Sequence, residues 1–377
     1  MGFQRVRFYQ FRNLRDGYVD LPSPQVFLVG ENGQGKSNFL ESLYLLSYGA
    51  SFRTRRDSEL CRLGEREMAI DGVFSADDGS DSGATHVTAN AADASAATHR
   101  LEIRWQENRK KITLDGNPVQ DRRDMISLMP SVVFRHDDMS FVSGPPEMQR
   151  WFVDQTLSMY QPVYIDDIRR YRGVLRNRNQ AIKDGLYDLM PVYDQELAEV
   201  GLEIQRRRRE VLEAFNAVFV EDFQAISGLE SPLILDYRPS WRELDDPATV
   251  VEHLLGKREQ EATLRTTTSG PHRDRVLFRY EGRDFLQIAS TGQQRLLALI
   301  LRVAQARFFA SQTGRLPVLL LDDVLLELDP GRRARFVDRL PAASQRIFTF
   351  LPGEPYGAYR SAETLIYSVS DGQLRAQ

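Results

Sequence analysis

Residues 30–37 read Gly-Glu-Asn-Gly-Gln-Gly-Lys-Ser, directly after the apolar run Val26–Val29 and directly before a helix-like stretch that begins at Asn38. A strand, a glycine-rich loop of this spacing and a helix form the setting in which such a loop binds phosphate. Glycines allow the backbone to curl so that successive N–H groups point at phosphate oxygens, and the helix N-terminus adds partial positive charge. The stretch therefore predicts a nucleotide site, and a chance glycine-rich turn is the alternative.

Each residue of this loop has an expected role. In loops of this type the lysine, here Lys36, reaches the β- and γ-phosphates, and the hydroxyl that follows it, here Ser37, binds Mg²⁺. The backbone of the other positions would surround the phosphates. The candidate nucleotide contacts in this stretch are Gly30, Glu31, Asn32, Gly33, Gln34, Gly35, Lys36 and Ser37.

Length and composition limit the class of protein. The chain has 377 residues, enough for two domains or for one domain with a large insertion. It contains no run of about 18 apolar residues, so we expect no membrane-spanning helix. Cys61 is the only cysteine, which excludes intramolecular disulfides and fits a cytoplasmic location. The net charge of −4 excludes a uniformly basic surface but allows a local one. Most of the positive charges are arginines. Arginine is well suited to binding phosphate, and the alternative explanation is the codon bias of a GC-rich genome.

The hydrophobic pattern changes along the chain from strands to helices. Short apolar runs separated by turns predict strands up to about residue 135, with a polar loop at Ser75–Thr98. From about residue 145 helical spacing dominates, and two long helices, Tyr164–Lys183 and Val192–Ile226, predict an antiparallel hairpin arm. The elements expected after this arm are a third helical stretch over Pro247–Leu264 and strands at Val276–Tyr280 and Phe285–Ile288.

A continuous apolar run that ends in two carboxylates, Val318–Leu321 followed by Asp322 and Asp323, marks the second half of the predicted site. Unbroken apolar runs are typical of parallel strands, and nucleotide and Mg²⁺ bind at the carboxyl ends of such strands. Asp322 would support Mg²⁺ and Asp323 would orient the attacking water, so the candidate catalytic residues are Lys36, Asp322 and Asp323. Because Asp322 lies 286 residues after Lys36, something substantial interrupts a single nucleotide site.

A second anion site is predicted at the start of another helix, about 30 residues before the Asp-Asp strand. Ser290, Gly292 and Gln293 stand at this helix N-terminus. In isolation the pattern is an ordinary helix cap. Because one chain cannot easily bring this element to its own phosphate loop, we expect two chains to face head to tail, each completing the nucleotide site of the other.

These motifs resemble the ABC-type ATPase heads of the SMC class and, within that class, the RecF family. The resemblance covers nearly the whole chain. It is carried by Phe11-Arg12-Asn13, Gly30–Ser37, Ser51–Thr54, Val133-Phe134 with Asp137-Asp138, Gln149–Asp154, Arg176–Asn179, Gly270–Asp274, Leu321–Val324 and Glu327–Asp329. The chain departs from the family at Arg275, where a second Asp is common, and at Leu325-Leu326. Asp323, which the family shares, stands where stronger ABC ATPases carry Glu.

The resemblance implies an α/β fold: an ABC-type P-loop ATPase head with a helical arm domain inserted between its two halves. The halves would be residues 1–135 and 263–377, the second carrying the signature motif and Walker B, and the arm would be residues 136–262. Within this fold Arg12 would join the nucleotide contacts, and Asp329 would contact the partner across the dimer.

The resemblance also implies an ATP-dependent DNA-binding protein of recombinational repair and replication-gap processing, with ATP and Mg²⁺ as cofactors. ATP would drive homodimerisation on double-stranded DNA or on single-strand/double-strand junctions, and slow hydrolysis would release the dimer. The implied enzyme is a weak, DNA-stimulated ATPase. The implied partner is a RecR-type mediator protein that helps to load the recombinase.

Two groups of arginines are the expected DNA contacts. They are Arg53, Arg55 and Arg56 beside the ATPase lobe, and Arg169, Arg170, Arg172, Arg176 and Arg178 in the arm. Contacts of this kind to phosphate are sequence-independent and weaken as salt rises. A solvated helix face with local ion pairs is the alternative for each group. For Gly270–Asp274 no mechanism follows from the sequence, and His272 is either a hydrogen-bonding core residue or a site residue.

Two functions of other classes stay open. An ABC-type ATPase could clamp a protein rather than DNA, for example as a transporter or translation-factor subunit. A transporter subunit would need a membrane partner and would not carry a helical arm between its lobes. A metabolic P-loop kinase would transfer phosphate to a small acceptor, and the Ser290–Gln293 element and the 286-residue gap weigh against it. Stimulation of hydrolysis by double-stranded DNA would favour the DNA clamp over both.

Overall fold

A computed structural model describes residues 2–75, 98–326 and 328–377. Contacts divide the chain into two compact units: unit 1 is Met1–His136, Gly314–Glu327 and Pro341–Gln377, and unit 2 is Asp137–Thr313 and Leu328–Leu340. Apart from its ends, the predicted polar loop Ser75–Thr98 lies outside the described residues, as does Glu327. The division predicted from the sequence at residues 135 and 262 stays a prediction.

The described residues contain strands and helices with the following bounds. The strands are β1 Gly2–Tyr9, β2 Gly17–Asp20, β3 Gln25–Val29, β4 Met68–Ser75, β5 Thr98–Gln106, β6 Arg109–Leu114, β7 Asn117–Pro118, β8 Ser131–Phe134, β9 Leu233–Arg238, β10 Arg275–Tyr280, β11 Arg283–Asp284, β12 Val318–Leu321, β13 Gln345–Phe350, β14 Thr364–Ser370 and β15 Gln373–Ala376. The helices are α1 Lys36–Tyr48, α2 Arg122–Leu128, α3 Ser140–Ser143, α4 Pro146–Tyr160, α5 Tyr164–Asp184, α6 Met190–Ser227, α7 Pro247–Gly256, α8 Arg258–Leu264, α9 Phe285–Ile288, α10 Thr291–Thr313 and α11 Pro330–Asp338.

Unit 1 is built on two six-stranded sheets. One has the order β15-β14-β3-β13-β12-β8, in which only β15 is antiparallel to its neighbour. Its central strands are buried on both faces, which explains why their sequences are unbroken apolar runs. The other sheet, β2-β1-β4-β5-β6-β7, is antiparallel and alternates between buried and outward residues. A shared apolar core, which includes Phe39, Leu43, Ile70 and Leu320, joins the two sheets and α1.

Unit 2 is mainly helical, with the three-stranded antiparallel sheet β11-β10-β9 beside the helices. The predicted hairpin arm corresponds to α5 and α6, which run antiparallel, since Arg178 pairs with Asp194 near the turn and Arg207 with Asp167 far from it. Gly185 ends α5 at φ 71°, a left-handed conformation that favours glycine and reverses the chain. No described helix is both long and apolar enough to cross a membrane.

One predicted element of unit 2 is wrong. The strand expected at Phe285–Ile288 is the short helix α9, because the Asp284 carboxylate accepts a hydrogen bond from the Leu286 N–H at 3.1 Å and caps a helical turn. The strand pairing ends at Asp284. The helical stretch expected over Pro247–Leu264 is confirmed, and it consists of two helices, α7 and α8, which Lys257 separates.

Candidate nucleotide-binding site

The phosphate loop joins β3 to α1, as the sequence predicts. Gly33 and Gly35 adopt positive φ angles of 79° and 114°, which let the backbone curl into the start of the helix. The Lys36 side chain is only 3% exposed, and its ammonium donates to the carbonyls of Gly30 at 2.6 Å and Glu31 at 3.3 Å. These carbonyls are neutral hydrogen-bond partners, which charged phosphate oxygens can replace.

The carboxylate of Asp322 lies beside Ser37, although 285 residues separate them in the chain. The Ser37 hydroxyl donates to Asp322 Oδ1 at 2.8 Å. Burial raises the pKa of Asp322, the bond from Ser37 opposes this rise, and the like charge of Asp323 adds to it. A proton and a metal ion would compete for this carboxylate, so we expect metal binding here to weaken on acidification. A hydroxyl and one carboxylate are the oxygen ligands that Mg²⁺ takes when phosphates and water supply the others.

Asp323 is held in an unusual conformation next to the lysine. Its φ angle of 51° is rare for a residue other than glycine, and such strain is often found at functional sites. The Thr349 hydroxyl accepts from the Asp323 N–H and donates to Asp323 Oδ1, each at 2.7 Å. The other carboxylate oxygen lies 3.9 Å from Lys36 Nζ. The carboxylate therefore has a fixed orientation near the lysine.

Sequence reasoning missed Thr349 and Glu41. Thr349 is a buried polar residue in the apolar run of β13, next to the strand that carries Asp322. Glu41 is fully buried on α1, where it accepts two hydrogen bonds from Arg12, at 3.0 and 2.8 Å, and one from the Ser51 hydroxyl. In each case the sequence shows only a polar residue inside an apolar run. Polar residues also occur in apolar runs without any role in binding, so this pattern does not identify a site residue.

Arg12, a predicted nucleotide contact, is thus ion-paired to the phosphate-loop helix. The same carboxylate, Glu41, lies 3.5 Å from Arg53 Nη1. The guanidinium of Arg53 also donates to Asn38, two residues after Lys36. The first predicted DNA-contact group therefore begins on a segment that is bonded to the phosphate-loop helix.

The predicted second anion site lies in unit 2, at the start of α10. The Ser290 hydroxyl accepts from the Gln293 N–H at 3.3 Å, and the Gln293 side chain accepts from the Ser290 N–H at 2.8 Å. This reciprocal pair is a capping box. A Cβ placed on Gly292 would have no neighbour within 4 Å, so the backbone there is open to approach. Asp329 caps α11 through a 3.0 Å bond from the Arg332 N–H. Their contacts with a second chain stay predictions.

The predicted DNA-contact arginines differ in exposure. Seven of them are exposed: Arg53, Arg55, Arg56, Arg169, Arg170, Arg172 and Arg176. Arg178 is 0% exposed and lies 2.8 Å from Asp194 and 2.7 Å from Glu261. The expectation that Arg178 contacts DNA is therefore wrong, because its guanidinium has no surface to present. The sequence grouped Arg178 with the other arginines of α5, but in the structure its side chain faces α6 and α8.

The Gly270–Asp274 motif, for which the sequence suggested no mechanism, organises a buried polar network in unit 2. Asp274 accepts hydrogen bonds from Gln205 at 2.6 Å, from Arg208 at 2.9 Å and from the Ser240 N–H at 2.8 Å. His272 lies between the Tyr171 hydroxyl and the Thr267 carbonyl, at 2.7 and 3.2 Å. The motif therefore has a structural role in the described residues, and His272 is a hydrogen-bonding residue of the interior.

The parallel sheet, its phosphate loop and the Ser37–Asp322 pair define a P-loop ATPase head of the ABC type. The chain matches the family model described as RecF/RecN/SMC N terminal domain over residues 3–362. A relative from Treponema pallidum (strain Nichols), named DNA replication and repair protein RecF, is 38% identical over 367 residues, which cover 96% of this chain and 97% of the relative. The chain belongs to the RecF family.

Solved structures agree with this assignment. A structure described as the recombination mediator protein RecF-ATP in the RecFOR pathway is 25% identical and matches with a TM-score of 0.86, covering 100% of this chain and 97% of its own. An Smc head bound to the C-winged helix domain of ScpA is 15% identical with a TM-score of 0.56, covering 100% and 96%, and shares the fold. The predicted fold class, an ABC-type P-loop ATPase head with a helical region, is confirmed.

Proposed function

We propose that this chain is an ATP-controlled clamp on DNA that acts in recombinational repair and replication-gap processing. ATP and Mg²⁺ bind at the phosphate loop, two copies close on double-stranded DNA or on a single-strand/double-strand junction, and slow hydrolysis reopens them. The observation that supports this most directly is the hydrogen bond between Ser37 and Asp322, which assembles one nucleotide site from distant parts of the chain. The family and the ATP-bound relative support it independently.

Nucleotide binding is the first step of the proposed cycle. Lys36 exchanges the Gly30 and Glu31 carbonyls for phosphate oxygens, which are stronger partners because they are charged. Ser37 and Asp322 hold Mg²⁺, which neutralises phosphate charge. The helix N-terminus at Lys36 adds its partial positive charge to the same site.

Hydrolysis is the second step, and Asp323 orients the attacking water. Its carboxylate is fixed by Thr349 and lies near Lys36, so it is positioned before nucleotide arrives. An aspartate is one methylene shorter than a glutamate and reaches less far towards the γ-phosphate. This difference agrees with a weak ATPase in which hydrolysis serves mainly to change the dimer between its open and closed states.

Closure depends on residues of two copies. Ser290 and Gly292 of one copy contact the nucleotide held by the other, and Asp329 contacts across the same interface. The N-terminus of α10 is suited to this role because it is exposed and its partial positive charge favours an anion. ATP touches both copies only in the closed state, so its differential affinity favours closure.

Exposed arginines bind the DNA backbone in this proposal. The group Arg53, Arg55 and Arg56 lies on a segment bonded to Glu41 of the phosphate-loop helix, so it is connected to the nucleotide site. The arm contributes Arg169, Arg170, Arg172 and Arg176. A RecR-type mediator protein would join the closed dimer and help to load the recombinase.

The deciding experiment measures the ATPase rate per chain against protein concentration, with and without duplex DNA. We expect a rate that rises steeply with concentration and is stimulated by DNA, because each site needs a second copy. Full activity at high dilution, unchanged by DNA, would contradict the clamp.

Two variants separate binding from closure. Lys36→Arg should lose ATP-induced dimers in light scattering, because the longer, planar guanidinium does not fit the lysine position. Ser290→Arg should still bind ATP but fail to dimerise, because a large side chain then blocks the surface that meets the second nucleotide. Unchanged dimerisation of both variants would refute a site shared between copies.

A further inference from the structure

We propose that the turn of the C-terminal hairpin, Asp371-Gly372, is a positioning element that holds the phosphate loop in its nucleotide-binding shape. This inference rests only on the ATP-binding part of the function proposed above. The hairpin β14–β15 reaches the loop because β14 pairs with β3, the strand that leads into Gly30. The Gly372 N–H donates to the Gln34 carbonyl at 3.0 Å, and the Asp371 N–H donates to the Gln34 side chain at 2.7 Å.

The segment Asn13–Arg15 supports the loop from a second direction and is bonded to the same turn. Asn13 Nδ2 donates to the Gly33 carbonyl at 3.0 Å. The Arg15 N–H donates to the Gly372 carbonyl at 2.9 Å, and Arg15 Nε donates to the Asp371 carbonyl at 3.2 Å. We call these two segments, residues 13–15 and 369–372, the loop collar.

The collar packs so tightly that glycine is needed on both sides of the contact. A Cβ on Gly30 would lie 2.3 Å from the Val369 carbonyl oxygen, and a Cβ on Gly35 would lie 2.9 Å from the Leu14 side chain. A Cβ on Gly372 would lie 1.9 Å from the Asn13 carbonyl oxygen, and Gly372 also has a φ angle of 72°. A side chain at residue 372 would therefore push the two segments of the collar apart.

The collar sets the direction of the N–H groups that receive phosphate. In a trans peptide the N–H points opposite to the carbonyl of the residue before it. Asn13 binds the carbonyl of Gly33, so the N–H of the same peptide group, that of Gln34, points away from Asn13. Gly372 binds the carbonyl of Gln34, so the N–H of Gly35 points away from the hairpin. Both donors therefore point away from the collar before nucleotide binds, and phosphate is the partner that we propose for them. A preorganised loop binds more tightly because less ordering accompanies binding.

The chain offers a matched control for this inference. Asp115-Gly116, between β6 and β7, is a second Asp-Gly turn in unit 1, with φ angles of 50° and 82° against 48° and 72° for Asp371-Gly372. A Cβ on Gly116 would have no neighbour within 4 Å. Gly116→Ala therefore introduces the same kind of backbone strain as Gly372→Ala but disturbs no contact with the phosphate loop.

The experiment titrates the full chain and each variant with the fluorescent analogue mant-ATP in the presence of Mg²⁺. We expect Gly372→Ala to raise the Kd at least tenfold and Gly116→Ala to leave it within twofold. Both variants should lose thermal stability through backbone strain, and Gly372→Ala should lose more because its Cβ also meets the Asn13 carbonyl oxygen. Equal Kd values for Gly372→Ala and the wild type would overturn the inference. Failure of the wild type to bind mant-ATP would instead overturn the proposed function.

A second variant and a second readout cover the case in which Gly372→Ala does not fold. Asn13→Ala removes the bond to the Gly33 carbonyl, and with it the bond from Asn38 Nδ2, without backbone strain. We expect it to raise the Kd about fivefold. Hydrogen–deuterium exchange of a peptide covering residues 30–35 should become faster in Asn13→Ala and stay unchanged in Gly116→Ala, both without nucleotide. Unchanged exchange and an unchanged Kd in Asn13→Ala would show that the collar only stabilises the fold.

Discussion

Buried cations occur in both units, but their partners differ. In unit 1, the ammonium of Lys36 contacts two backbone carbonyls, and the carboxylate of Asp323 lies 3.9 Å away. In unit 2, the guanidinium of Arg208 contacts the carboxylates of Asp154 and Asp274, each at 2.9 Å, and the Pro271 carbonyl at 2.8 Å. The closest partners of the lysine are neutral carbonyls that a phosphate can replace, and its one carboxylate neighbour is partly exposed, whereas the arginine is held by two carboxylates at 2.9 Å.

This difference indicates which buried charge serves binding and which serves the fold. A buried ion pair is expensive to break from one side, because the remaining charge stays buried without compensation. A buried ammonium whose closest partners are carbonyls, with a partly exposed carboxylate 3.9 Å away, is less costly to replace by an apolar side chain. Substitutions in the two units should therefore change different quantities: the free energy of unfolding in unit 2 and the nucleotide affinity in unit 1.

The largest effect is expected for Arg208→Met. It leaves the buried Asp274 and the partly buried Asp154 without their cation, and such losses cost about 3–5 kcal/mol of unfolding free energy. Arg206→Ala is the matched control on the same helix, since Arg206 is exposed and pairs with Glu203 and Glu210 at the surface, where a pair contributes about 1 kcal/mol or less. Urea unfolding followed by circular dichroism measures both. If both variants lost the same free energy of unfolding, buried arginine ion pairs would contribute no more to stability than surface pairs.

Lys36→Met tests the other side of the comparison. We expect the Kd for mant-ATP to rise about 100-fold, equivalent to about 2.8 kcal/mol, because the charge facing the phosphates is lost. Methionine fills most of the space of the lysine stem and needs no hydrogen bond, so the unfolding free energy without nucleotide should not fall. A marked loss of stability with nucleotide affinity preserved would mean that Lys36 is a structural residue like Arg208.

The sequence predicted the nucleotide half-site better than the polar network of unit 2, for a physical reason. Gly30–Ser37 is a local motif whose shape follows from consecutive residues, and Asp322 follows a strand with an unmistakable apolar run. The partners of Arg178 are Asp194, across the turn of the hairpin, and Glu261, far along the chain, and only the packing of three helices brings them together. The spacing of arginines on a helix does not say which of them faces another helix.

Protonation of His272 gives a pH-dependent test of the unit 2 network. Burial lowers the pKa of His272 to about 4, whereas an unfolded histidine titrates near 6.5. Between these values the unfolded chain binds more protons, so acidification from pH 6.5 to 4 should reduce stability, by at most about 3 kcal/mol. His272→Gln should show a smaller decrease over this interval. An identical pH profile for the variant would mean that the pKa of His272 is the same in the folded and unfolded states.

The smallest effect is expected for single exposed arginines of the proposed DNA surface. Arg55→Ala should weaken duplex DNA binding only a few-fold and reduce the slope of log affinity against log salt by about 1, because one phosphate contact releases about one counterion. Arg206→Ala, also exposed but paired on α6, should leave the slope unchanged. Fluorescence anisotropy of a labelled duplex at several salt concentrations measures both slopes. If Arg55→Ala keeps the slope of the wild type, Arg55 does not contact DNA phosphate. The exposed arginines of the arm, Arg169, Arg170, Arg172 and Arg176, then become the better candidates.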